Sequence, residues 1–145
     1  MITCETSSWW RRHVAAGQVV ALVGGAAIVA IAILAHNQVP VALLVIGGIW
    51  IAMGAVSWLQ VRRVAFSVVF DEGTLTFVGP HVDRQVSATA LATFRWQYGD
   101  INRLAGAFFI TTSGEKVRVA PRMTSMLELF TAVKQRNAGF SLPHI

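Results

Sequence analysis

VAAGQVVALVGGAAIVAIAILA (residues 14–35) and VPVALLVIGGIWIAMGAVSWL (39–59) are two apolar runs parted only by His36-Asn37-Gln38. No Asp, Glu, Lys or Arg occurs between His13 and Gln60. A hydrocarbon core about 30 Å thick takes roughly 20 apolar helical residues to cross, and each run supplies them. The expectation is a transmembrane hairpin over 14–61, with spans at 14–35 and 39–60 joined by a turn too short to separate them. Everything else is arranged around that pair.

The flanks set the topology. Trp9 and Trp10 suit the headgroup zone, where an amphipathic ring is half wet, and Arg11 and Arg12 follow them. Trp58 and then Arg62 and Arg63 repeat that aromatic-then-basic order after the second run, while the turn carries no Lys or Arg. The positive-inside rule therefore places both termini in the cytoplasm and the turn outside, giving a multi-pass protein of the cell membrane. A cleaved leader is the competing reading of the first run. Its apolar part is 22 residues, against about 7–15 for a leader's apolar core, so a retained helix is expected. Residues 1–13 then form a short cytoplasmic tail.

Small residues recur every fourth position, as Gly17, Ala21 and Gly25 in the first span and Gly48 and Ala52 in the second. Such rows let backbones approach closely. Two readings stand: packing within this hairpin, which is the simpler, and a homo-oligomer contact between copies. Gln18 is the one strongly polar side chain deep in the first span, and its expected partner is a neighbouring backbone group. With no ionisable group inside either span, a proton or ion path has nothing to run on.

Beyond residue 61 the period changes. VAFSVVF (64–70) alternates Val64, Phe66, Val68 and Phe70 on one face; Asp71-Glu72-Gly73 turns the chain; TLTFV (74–78) returns with Leu75 and Phe77 inward. Gly79-Pro80-His81 makes a second turn before VDRQVSA (82–88). ATFRWQY (92–98) sets Ala92, Phe94, Trp96 and Tyr98 against Thr93, Arg95 and Gln97. After a loop at 99–105, AFFITT (107–112) and EKVRVA (115–120) form another hairpin about Ser113-Gly114. Met126, Leu127, Phe130 and Val133 then repeat at helical spacing behind Ser125 and Glu128, an S-x-x-E capping box. Gly139 stops that helix, and 140–145 is expected to be a tail.

Six strand-like runs and one amphipathic helix, placed directly after a two-helix hairpin and the Arg62-Arg63 pair, resemble the small bacterial membrane proteins that carry a pleckstrin-homology-like (PH-like) domain. The resemblance covers about residues 14–138. It implies an α+β membrane protein: a transmembrane hairpin, then a PH-like antiparallel β-barrel or sandwich over 62–139, capped by a C-terminal helix. PH domains have seven strands, so a seventh is expected at Arg122-Met123 or within 99–105. Eukaryotic PH domains bind phosphoinositides through Lys and Arg flanking the first hairpin. Here that hairpin is read as the acidic Asp71-Glu72-Gly73, so that site is not carried over.

Composition narrows the function. The hydrophobic fraction is 54% and the net charge +5, of which residues 61–145 carry ten Lys or Arg against six Asp or Glu. These cations are scattered singly, unlike the stripe of a nucleic-acid binder, so no nucleic acid is expected. The four histidines lie far apart and Cys4 is the only cysteine, so no metal site, cofactor or nucleophile–base pair is apparent and no enzymatic activity is expected. What remains is binding. The first expectation is a membrane-anchored module that engages a membrane or cytoplasmic protein or serves as an accessory subunit; the alternative is capture of anionic lipid. Arg62, Arg63, Arg95, Arg118 and Arg122 are the expected contacts, with Trp9, Trp10, Arg11, Arg12 and Trp58 as interface anchors in the lipid bilayer.

Overall fold

The computed structural model describes residues 1–34, 41–98, 104–121 and 123–142. The interhelical turn with Pro40, most of the 99–105 loop, Arg122 and the last three residues, His144 included, lie outside them. Two compact units emerge: residues 8–61, and residues 1–7 together with 62–145. The chain is α+β, with two long apolar helices, two antiparallel sheets and a C-terminal helix.

In the helical unit, α1 spans Ser8–Leu34 and α2 spans Val41–Arg62. At 1.5 Å per residue these are about 40 and 33 Å long, enough to cross a membrane. Helix α1 starts six residues earlier than the apolar run, so Trp9, Trp10, Arg11 and Arg12 belong to its first turns and not to a tail. The apolar character has no single face. Val19, Val23, Ile31 and Ile33 on α1, and Val45, Ile49, Met53 and Val56 on α2, are all more than half exposed. The seam between the helices is made by glycine: Gly25, Gly47 and Gly54 are the buried residues. A Cβ at Gly25 would stand 2.8 Å from Ile51 Cγ1 and 2.9 Å from Gly47 O, so the backbones touch where side chains are absent. Gly17 and Gly48 have nothing within 4 Å of such a Cβ and take no part in this seam. Gln18 Nε2 donates to Ser57 Oγ of α2 at 3.5 Å, a side-chain partner in place of the expected backbone one.

The second unit begins with a strand that the sequence did not suggest. β1 (Ile2–Glu5) pairs antiparallel with β2 (Ser67–Asp71), which continues into β3 (Thr74–Gly79) and β4 (Val82–Ser87) in a four-stranded sheet of order β1-β2-β3-β4. Among the described residues the strand added to the six expected runs is the N-terminal segment. Met123 makes an isolated bridge to Thr6, and Arg122 and residues 99–103, where a further strand was expected, lie outside the described residues. A second, three-stranded sheet contains β5 (Leu91–Tyr98), β6 (Leu104–Thr111) and β7 (Lys116–Val119). Helix α3 (Met126–Arg136) follows.

Local chemistry explains the turns. Glu72 (φ 46°) and Gly73 (φ 91°) occupy the two central positions of the β2–β3 turn, where both residues need positive φ to match the strand twist. At the β3–β4 turn the constraint is space. A Cβ on Gly79 would overlap Val64 O and lie 3.1 Å from Ala65 Cα.

The core lies between the sheets and α3. Phe109 of β6 is its hub, with ring centroids 5.3 Å from Phe77, 4.9 Å from Phe94 and 6.4 Å from Phe140. Three details depart from simple alternation. Residues 64–66 are not in the strand, and Ala65 is buried where Phe66 was expected. The β5–β6 register shifts between Leu91 and Thr93, which buries Leu91 and Phe94 and leaves Ala92 half-buried. On α3 the buried positions are Leu129 and Val133, and Leu127 is 77% exposed.

Both ends of this unit are built in. Cys4 is fully buried. Phe140 is buried too, and Ser141 joins the β5 edge, its N–H donating to Ala92 O at 3.0 Å and its carbonyl accepting from Phe94 N at 3.2 Å. Neither 1–7 nor 140–142 is a tail. The capping box also fails: Ser125 is left-handed (φ 55°), and its side chain makes no cap hydrogen bond.

Candidate interaction surface

Strand alternation turns Val68, Phe70, Leu75, Phe77, Phe94 and Phe109 to the core and their neighbours outward. On the three-stranded sheet this produces two rows. Arg95, Phe108 and Arg118 are successive cross-strand partners, as are Thr93, Ile110 and Lys116. Phe108 thus has an arginine on each side, and the Arg118 guanidinium carbon sits 5.9 Å from its ring centroid. Such an approach to a ring face is attractive and keeps the cation above an apolar centre. Arg95 and Lys116 are exposed, while Phe108, Ile110 and Arg118 are half-buried. These six described positions include no acid.

The four-stranded sheet shows the opposite sign outward. Glu5, Asp71 and Asp83 occupy its outer face, where the described outward positions hold no Lys or Arg side chain. The chain's amino group lies 3.8 Å from Asp71. Arg84 of β4 pairs with Glu115 beside the β6–β7 turn. On the described outer faces the charges are thereby sorted, with three cations on that of the three-stranded sheet and three carboxylates on that of the four-stranded sheet, Arg84 of β4 lying on the inner-facing row opposite Phe77.

Of the residues expected to make contacts, Arg95 and Arg118 are brought together across β6. Arg62 is half-buried and Arg63 exposed at the entry to the β-unit, and Arg122 lies outside the described residues. Trp9 and Trp58 are exposed. The Trp9 ring lies 3.8 Å from that of His13, whose Nδ1 donates to Trp9 O at 2.9 Å; Arg11 and Arg12 are exposed beside them. Phe108, Ile110 and Lys116 were not anticipated. Their signal was present in AFFITT and EKVRVA, whose alternate residues had to point outward once the inward set was assigned.

Among the described residues no group of three or more His, Cys, Asp or Glu is placed to hold a metal ion. Burial, and secondarily the Glu128 carboxylate, push the Cys4 thiol up to about 11. A buried, protonated thiol is a poor nucleophile. No family model matches the chain, and neither the curated proteins nor the solved structures give a match.

Proposed function

We propose that this chain is a non-catalytic, PH-like interaction module anchored in a membrane by α1 and α2, with the outer face of β5–β7 as its binding surface. The observation that carries the reading is the combination of two helices apolar on every side with a second unit that has its own aromatic core. A soluble helix buries one stripe, whereas a helix apolar all round is buried in a protein core or in lipid. The rest of this chain leaves both helices largely uncovered, which favours lipid.

Three further features support it. β1 precedes the helix pair and β2 follows it, yet they share one ladder. Both ends of an inserted pair must then lie on one side of the bilayer, and Arg11, Arg12, Arg62 and Arg63 favour the cytoplasmic side. Sheets of four and three strands followed by a helix are compatible with the PH-like reading. In that reading the helix pair replaces the loop between the first two strands, so the first hairpin of the domain is the anchor itself and not Asp71-Glu72-Gly73. The partner is a protein or an anionic surface, and the cations around Phe108 favour the anionic one.

Alkaline extraction and protease protection test this reading. The chain is expected to stay with the membrane at high pH, and epitopes at both ends are expected to become accessible together, only when the cytoplasmic face is exposed. Release into the supernatant, or epitopes on opposite sides, would refute it.

A further inference from the structure

We infer that the outer face of β5–β7 docks on the anionic headgroup layer of the membrane that holds α1 and α2, with Phe108 and Ile110 entering the interface and Arg95, Lys116 and Arg118 engaging phosphate. This rests on the membrane-anchor reading above.

Sign is the first ground. The two sheets share one core, and their outer faces carry opposite charge: Arg95, Lys116 and Arg118 on one, Glu5, Asp71 and Asp83 on the other. A negatively charged leaflet attracts the first face and repels the second, so it selects an orientation. Each Lys or Arg near such a leaflet is worth about fivefold in the docked population, the equivalent of about 1 kcal/mol, and the effect fades over about 8–10 Å.

Composition is the second. Phe108 and Ile110 lie side by side on β6 with cations on both flanking strands. An apolar centre rimmed by guanidinium and ammonium groups suits the boundary between acyl chains and headgroups, where long basic side chains keep their stems in apolar surroundings and their charges in phosphate.

Edge chemistry disfavours an extended peptide as the occupant. Such a peptide binds by adding a strand to an open edge. The β5 edge already bonds Ser141, and the β7 edge already bonds Ala65, whose N–H donates to Arg118 O at 2.9 Å. Tethering completes the case. Only residues 6–7 and 63–66 lie between the helices and the paired strands β1 and β2. A membrane-held domain meets its own bilayer at an effective concentration that lets a weak surface suffice.

The test places full-length protein in nanodiscs at one copy per disc, with a nitroxide at Ile110→Cys. Cys4 is fully buried and leaves the label selective. In discs containing phosphatidylglycerol the label is expected to gain collisions with oxygen and lose them with a water-soluble nickel chelate, relative to pure phosphatidylcholine discs. High salt should reverse the difference. Arg95→Gln with Lys116→Gln should lower the docked-to-free ratio about 30-fold, while Asp83→Asn should not lower it. Equal accessibility in both disc types at low salt would overturn the proposal, as would burial of the label only at two copies per disc or only on adding an acidic polypeptide. Failure of the chain to enter discs at all would strike the anchor reading instead.

Discussion

Cys4 and Val68 face each other in one antiparallel ladder, although the whole helix pair lies between them in sequence. Thr6 N–H donates to Phe66 O at 2.9 Å, and Thr124 N–H to Glu5 O at 3.1 Å, so the first strand is held on both sides. The β-unit is thus completed only when the chain returns from α2. Residues 62–145 alone lack β1 and should fail to fold cooperatively, because β2 loses its partner and Val68 and Phe70 lose cover. Joining residues 1–7 to 62–145 through a short flexible linker should restore a protease-resistant domain. Thermal unfolding by circular dichroism distinguishes the two, with a difference on the order of 3 kcal/mol or more expected from the lost burial and hydrogen bonds. Equal stability of the two forms would contradict the role given to β1.

Gly79 is the position where the β-unit has least room. Backbone atoms of Val64 and Ala65, not flexible side chains, occupy the space of a Cβ there. Gly79→Ala should cost about 1–3 kcal/mol by forcing the 64–65 segment away from β7. Chemical denaturation of the full chain in detergent measures it, and an unchanged midpoint would show that the segment moves freely.

The helix seam makes a paired prediction. Gly25→Ala meets Ile51 and the Gly47 carbonyl and should loosen the hairpin by about 1–3 kcal/mol. Gly48→Ala meets nothing within 4 Å and should be neutral or slightly stabilising, by up to about 1 kcal/mol from helix propensity. Unfolding titrations that rank the two the other way would place the contact on the Gly48 row.

Cys4 carries a pH dependence. Its thiol is pushed from 9.0 to about 11, chiefly by burial. Between those values the unfolded chain loses this proton while the folded chain keeps it, so the native state binds more protons and stability falls as pH rises. Below pH 9 the contribution is complete. Comparing the full chain with Cys4→Ala isolates the slope, which should be shallower in the variant. Parallel curves would place the thiol in water.

Much of this was legible because periodicity is a strong signal. Two runs free of charge could hardly be anything but long apolar helices, and six of the seven described strands follow from strand-like runs set off by turns, among them Glu72-Gly73 and Ser113-Gly114. β1 was not legible. Ile2-Thr3-Cys4-Glu5 is too short to show a period, and its partner lies beyond the helices. The binding face was hidden for a related reason. Arg95 and Arg118 stand out as outward residues, but only the register through Phe108 makes them neighbours. The failed cap at Ser125 shows tertiary structure overriding a local pattern: the adjoining residues 123–124 are drawn to β1, where Met123 bridges Thr6 and Thr124 bonds Glu5.

Asn137 ends α3 and ties it to the start of the second sheet. Its Nδ2 donates to Ala88 O at 2.9 Å and Leu91 O at 2.7 Å, while its Oδ1 accepts from Gly139 N–H at 3.1 Å. The amide is needed because both ends are used. Asn137→Ala removes the donors and leaves half-buried carbonyls short of partners, at a cost of about 1–3 kcal/mol. Asn137→Asp keeps the shape but turns an oxygen towards two carbonyls, so it should be worse than alanine at neutral pH. Protonation gives that carboxyl one donor back, so acidification should narrow the gap between the two variants. Thermal melts at pH 4 and pH 7 read this directly, and an aspartate variant as stable as wild type at pH 7 would mean that the carbonyls of Ala88 and Leu91 find water instead.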